Sequence, residues 1–209
     1  MEISKPFGPS IAKVIIPEEI ILSMNNYVEE IITNKKKSDD LDFGINLAGN
    51  VQQEFRLSVE FMKKNNWAEF LGKSCQKWLL EGHDISLKKF EIISSWIVRQ
   101  FKNEYNPIHT HGGHLSGVGY LKVPENFGEY HQKTKINNQN GMLTLVHGSK
   151  TFMSDSTYTI EPKVGDFYFF PNYLMHAVYP FTGTDEERRS VSFNALIDDD
   201  IYNVFQQKK

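Results

Sequence analysis

Residues 106–120 read NPIHTHGGHLSGVGY, and the rest of the chain is organised around them. Three of the 7 histidines, His109, His111 and His114, fall within six positions here. In extended backbone alternate side chains share a face, so His109 and His111 point the same way and can converge on one metal ion. A third ligand has to come from elsewhere, and His176, in GDFYFFPNYLMHAVYPF, is the candidate. Two imidazoles from one strand and one from another leave about three positions of an octahedral ion open, which suits oxygen chemistry or a small acid. His114, between glycines and a strand, is a candidate outer partner or substitute ligand. His83, His131 and His147 have no companion at ligand spacing and read as structural. A zinc finger is excluded, because Cys75 is the lone cysteine.

Downstream and upstream of this stretch the periodicity is that of strands. Phe90, Ile92, Trp96 and Val98 lie at even positions, a period of two. Further strand-like runs are Leu115 to Val123, Met142 to Val146, Thr157 to Ile160, Asp166 to Phe170, Met175 to Phe181 and Arg188 to Ile197. Turn residues separate them, as at Pro124-Glu125-Asn126 and Asn137 to Gly141. The polar stretch Phe127 to Gly141 reads as a mobile loop near a barrel mouth. The first part of the chain is helical instead. Pro17 with Glu18 and Glu19 starts a helix that carries Ile20, Ile21, Met24, Tyr27, Val28, Ile31 and Ile32 at helical spacing and fades near Asn34 and a solvated end at Lys35, Lys36 and Lys37. Ser38 to Asn50 reads as loop, Asn50 and Gln53 as the capped start of a second helix, and Trp67 to Leu80 as a firmer helix ended by Gly82. Cys75 lies on its apolar face, as does a core thiol.

Helices first and about seven strands second predict an α+β chain, mainly β, with N-terminal helices (about 1–84) packed on one sheet of a jelly roll (about 85–209). The 209 residues fit one domain. A net charge of -3 argues against a general nucleic-acid or membrane-surface role. No apolar run approaches the roughly 20 residues that span a bilayer, MEISKPFGPS lacks the apolar core of a signal peptide, and one cysteine fits a reducing cytoplasm. The expectation is a soluble, cytoplasmic protein.

The last strand carries a second signal. Arg188, Ser190, Ser192 and Asn194 share one face, and Arg189, Val191 and Phe193 share the other. A polar inner face makes sense when it lines a cavity, where an arginine can grip a carboxylate through two parallel hydrogen bonds. Ser190 is placed to add another, Asn194 lies on the same face, and Tyr105, just before the histidines, is a further candidate. The alternative is a surface Arg–Arg pair after Asp185, Glu186 and Glu187; if the polar face is exposed, Arg189 becomes the anion candidate.

His109-Thr110-His111, the run Leu115 to Leu121, Gly165 with Phe170-Pro171 and His176, and Arg188-Arg189-Ser190 through Asn194 together resemble the Fe(II)- and 2-oxoglutarate-dependent oxygenases, most closely a subgroup abundant in marine bacteria and their phages. The resemblance covers roughly Trp96 to Asn194 and implies a double-stranded β-helix. It implies Fe(II) on His109, His111 and His176, Arg188 on the far carboxylate of 2-oxoglutarate, O2 as co-reactant, and release of succinate and CO2 as an unidentified substrate is hydroxylated. One departure stands out: most of the wider superfamily has a carboxylate where this chain has His111. That leaves the site one charge unit more positive, with Asp155 and Asp166 as candidates to supply a carboxylate through folding. Two other readings compete. Gly165, Pro171 and His176 also resemble the second cupin motif, although Tyr173 stands where that motif has glycine and the glutamate of the first motif is missing; a cupin-type metalloprotein does not require Arg188. A non-catalytic jelly-roll module would leave the histidine pattern unexplained.

Overall fold

A computed structural model describes residues 1–4, 8–129, 134 and 137–203. Two short strands, β1 (Glu2–Ser4) and β2 (Ile11–Ile15), precede helix α1 (Glu18–Ile32). Pro17 caps α1, Glu18 and Glu19 occupy its positive end, and Ile20, Met24, Val28 and Ile31 form its buried stripe. Asn34 does not let the chain fade into loop. Its side chain accepts a hydrogen bond from the Lys37 amide at 3.1 Å and caps a second helix, α2 (Lys35–Leu41), so the lysines open a helix rather than close one.

A second departure follows. Gln53 does not cap a helix but begins strand β3 (Gln53–Arg56), which pairs with β4 (Phe90–Gln100). Tertiary pairing overrides the local cap signal, because β3 buries Glu54 and Phe55 against β4. Ser58 then caps α3 (Val59–Lys64), and α4 (Trp67–His83) follows. Gly82 lies inside α4, against Ile3; the left-handed cap is Asp84, at φ 55°.

The remaining strands are β5 (Asn106–His109), β6 (Leu115–Lys122), β7 (Leu143–Val146), β8 (Thr157–Ile160), β9 (Asp166–Pro171), β10 (Met175–Val178) and β11 (Arg188–Ile197), before the short helix α5 (Asp199–Tyr202). They form two antiparallel sheets, a seven-stranded one in the order β1-β2-β9-β6-β11-β4-β3 and a four-stranded one in the order β5-β10-β7-β8. This is the expected mainly β, jelly-roll arrangement, with its helices on the outer face of the larger sheet. No helix among the described residues is long and apolar enough to cross a membrane.

The larger sheet is buried on both sides, which explains its unbroken apolar runs. On its outer face Phe167, Phe169, Val191 and Phe193 pack under Met24, Trp67, Leu71, Cys75 and Trp78 of the helices. On its inner face Tyr168, Phe170, Val118 and Tyr120 meet Leu143, Leu145 and Val178 of the smaller sheet. The glycines of LSGVGY serve the outer core: a Cβ on Gly117 would stand 2.6 Å from the Phe167 ring and 2.8 Å from that of Phe193. The period-two reading of β4 needs one correction. Asn194 pairs with Ser94 and Ala195 with Ile92, so Ile93 is a bulge that switches the face. Phe90 and Ile92 therefore pack with the helices, whereas Trp96 and Val98 face the space between the sheets.

The loop expected at the mouth lies partly outside the described residues (130–133, 135–136), as does His131. Its described part packs on the segment 181–183: Phe127 lies edge-on to Phe181, and Gly128 is pressed against Gly183.

Arg189 is not a surface residue. Its guanidinium is buried among the helices and makes a forked pair with Glu187, at 2.6 and 2.8 Å, and a third bond to Glu29 at 2.8 Å. Arg99 forks onto the same Glu187 carboxylate at 2.8 and 3.1 Å. Burial alone would raise the Glu187 carboxyl, but the hydrogen bonds and charges of Arg189 and Arg99 hold it down to about 2. Removing this carboxylate takes from Arg99 its ion-pair partner and leaves the enclosed Arg189 with Glu29 alone as counter-ion. Glu187→Ala is expected to cost about 3–5 kcal/mol of stability, read from the midpoint of urea unfolding; an unchanged midpoint would show that the arginines re-pair without it.

Candidate metal centre

Strand register builds this site. β10 pairs with β5 so that His176 is the direct partner of His109. The two segments thus meet on neighbouring strands of the smaller sheet. His111 lies two residues beyond the end of β5, where Asn172 clamps its backbone: the His111 amide donates to the Asn172 carbonyl at 3.0 Å, and Asn172 Nδ2 donates to the His111 carbonyl at 3.2 Å.

Each ring is then turned by its Nδ1. His109 Nδ1 donates to the Pro107 carbonyl at 2.7 Å, and His176 Nδ1 to the Leu174 carbonyl at 2.9 Å. His111 Nδ1 donates to Asn194 Oδ1 at 2.8 Å, and the same oxygen accepts from Ser116 Oγ at 2.8 Å. These acceptors can only accept, so the ring proton is fixed on Nδ1 and the Nε2 lone pair is left free. The Nε2 atoms of His109 and His111 are 3.2 Å apart, as are those of His111 and His176. Lone pairs facing one another at that distance repel, and a cation among them converts the repulsion into coordination. The three rings form a group able to hold a metal ion.

Electrostatics keeps the rings in the ligating state. Burial, then the neighbouring imidazoles, pushes His176 down to about 3 and His111 down to about 4. Burial also lowers His109, against the pull of the Pro107 carbonyl. Neither proposed carboxylate joins them. Asp166 is tied to Lys13 at 2.9 Å on the sheet, and Asp155 faces Lys150 in solvent. His114 also turns away: its ring stacks on Tyr202 at 3.9 Å, and its Nδ1 accepts from the Ile197 amide.

The histidines line a cavity of about 200 Å³ between the sheets, which Arg188, Ser190, Ser192 and Asn194 line as well. The polar face of β11 is thus inside, and Arg188, at 1% exposure, is fully buried. Its Nη1 donates to Gln100 Oε1 at 3.1 Å, and its guanidinium lies over the Tyr120 ring at 5.0 Å. Gln100 is held for this task, since its Nε2 donates to the carbonyls of Glu104 and Tyr179. Arg188 Nε and Nη2 have no hydrogen-bond partner among the described residues.

Residues 94–194, from β4 into β11, match the family described as "Putative 2OG-Fe(II) oxygenase". Over this core, just under half of the chain, the sequence is similar to that family. Solved structures share the oxygenase fold at low identity. A prolyl-4-hydroxylase from Pseudomonas putida is 13% identical, with a TM-score of 0.57 over 88% of this chain and 91% of that one. The viral collagen prolyl hydroxylase of Paramecium Bursaria Chlorella virus-1, in a 2OG complex, is 16% identical, at 0.54 over 88% and 94%. HygX from Streptomyces hygroscopicus, with nickel and 2-oxoglutarate bound, is 11% identical, at 0.56 over 88% and 80%. No curated protein matches the sequence.

Two candidates of the sequence reading are placed differently from that expectation. Tyr105 is 39% exposed, bridged to Asn50 and outside the cavity lining. Asn194 does line the cavity, but its amide oxygen is engaged by His111 and Ser116. Gln100, Asn172 and Glu54 went unread. Gln100 continues the even-numbered face of Trp96 and Val98, a signal that was available; β3 gave none for Glu54.

The lowered histidines have a consequence for stability. Between their ordinary value near 6.5 and the folded values, the unfolded chain binds more protons than the folded one, so stability rises with pH across that window. The metal-free protein is expected to lose on the order of a few kcal/mol as pH falls from about 6.5 toward 4, and His176→Gln to lose less over the same range. Thermal unfolding against pH checks this, and parallel profiles for the two proteins would contradict it.

Proposed function

We propose that this oxygenase holds Fe(II) on His109, His111 and His176, takes 2-oxoglutarate as cosubstrate with its far carboxylate on Arg188, and hydroxylates a C–H bond of a prime substrate. Bound Fe(II) with 2-oxoglutarate and O2 supplies the oxidising power, and the cosubstrate leaves as succinate and CO2. The three imidazoles fit that ion as neutral nitrogen donors with their lone pairs free. They bring no negative charge, so the dianionic cosubstrate is the group that balances the metal.

One observation carries the reading. A buried guanidinium in the cavity wall has two nitrogens, Nε and Nη2, whose N–H groups find no partner among the described residues. An enclosed charge without a counter-ion costs several kcal/mol, and a carboxylate that accepts from Nε and Nη2 in the forked geometry removes that cost. Ser190 Oγ, 3.5 Å from Arg188 Nη1, stands ready as a further donor. A cupin-type site needs no such group, so Arg188 favours the 2-oxoglutarate reading. Gln100 and Tyr120 orient the arginine, Asn194 orients His111, and Trp96 and Phe170 keep water from the metal side. The chain's own work is therefore positioning and exclusion of solvent. A low-exposure Cys75, its thiol raised by burial, fits a cytoplasmic location.

Arg188→Ala is expected to weaken 2-oxoglutarate binding by about 2–5 kcal/mol while metal binding persists, both read by calorimetry under anaerobic conditions. Unchanged affinity would overturn the assignment of Arg188. Asn194→Ala is expected to weaken metal binding by about 10–100-fold, since it frees the His111 ring; a metal titration reads this, and an unchanged constant would mean that Asn194 does not orient the ligand.

A further inference from the structure

Among the described residues Glu54 is the one carboxylate in the cavity wall, and the reaction as described makes no use of it. It lies on β3, opposite Val98 of β4, which in turn pairs with Ser190 of β11. It therefore stands on the same inner face as Ser190, two strands away. The residue is 2% exposed, its Oε1 has no hydrogen-bond partner, and it makes no ion pair among the described residues. The chain leaves space for it. A Cβ on Gly49 would stand 2.9 Å from Glu54 Oε1, and one on Gly44 would stand 3.5 Å from Oε2.

The two nearby carboxylates are already employed. Asp42 accepts from the Gly44 amide, and Glu104 accepts from the amides of Gln52 and Phe101. They add negative potential without offering Glu54 a counter-ion. Burial first, then the charges of Asp42 and Glu104, pushes the Glu54 carboxyl up to about 7. A buried carboxylate in that field is a poor partner for an anion and a strong one for a cation.

We propose that Glu54 anchors the prime substrate, and that this substrate brings a cationic nitrogen, an ammonium or a guanidinium, into the cavity. The proposal rests on the oxygenase reading of the cavity. Arg188 and Glu54 then divide the inner face by charge: the arginine takes the anionic cosubstrate and the glutamate the cationic end of the substrate. A cavity of about 200 Å³ that also holds the cosubstrate admits one side-chain end or a small amine, not a bulky ring system.

The test is calorimetric titration of the anaerobic protein, loaded with Fe(II) and 2-oxoglutarate, with butylammonium, butylguanidinium and the neutral butylurea. At least one cation is expected to bind about tenfold or more tightly than butylurea, and Glu54→Gln to abolish that preference with 2-oxoglutarate affinity unchanged. Equal binding of the urea, an undiminished preference in Glu54→Gln, or no binding of either cation to the loaded protein would overturn the proposal. Failure of 2-oxoglutarate to bind would instead sink the oxygenase reading of the cavity, while a cation preference lost in Glu54→Gln would still establish Glu54 as a cation site.

Discussion

Three imidazole lone pairs are forced to face one another, and the rest of the structure serves that constraint. Each Nδ1 proton is committed to an oxygen that can only accept, so no ring can turn its lone pair away without leaving a donor unpaired. Two of those oxygens are backbone carbonyls within two residues of the ring they hold. The third, on Asn194, comes from the centre of the larger sheet. The histidine cluster is thus stitched between the two sheets, and sheet register becomes a determinant of its geometry.

The same strand serves two masters. β11 offers Arg188, Ser190, Ser192 and Asn194 to the cavity, and Arg189, Val191 and Phe193 to the helices. Adjacent arginines meet opposite fates: Arg189 is saturated by Glu187, Glu29 and Asn25, while Arg188 Nε and Nη2 have no partner among the described residues. The contrast is informative, because a chain that pairs one buried guanidinium so fully has the means to pair the other. The donors of Arg188 left without a partner among the described residues are the observation on which the proposed cosubstrate site rests.

Much of this was legible in the sequence because alternation encodes faces. The His109–His111 pair, the two-faced pattern of β11 and the apolar run of β9 each fixed side-chain direction, and the structure places them accordingly. What escaped depends on distant pairing. β3 is four residues with no alternation of polarity, and its strand character comes from β4, so the sequence pattern at Gln53 reads as a cap and gives no sign of Glu54 in the cavity wall. The bulge at Ile93 is invisible to a period-two reading, because both faces of β4 are apolar. Tyr105 was drawn to the site by its nearness in sequence to His109, yet its backbone pairing with Asn50 turns it to solvent.

The most direct test is to add 2-oxoglutarate to the anaerobic, Fe(II)-loaded protein and record its visible spectrum. A new metal-to-ligand charge-transfer band is expected, since it reports chelation of the keto acid at an iron with open positions. Iron binding without that band would contradict the account and favour a cupin-type site, and absence of iron binding would return the three histidines to a structural role.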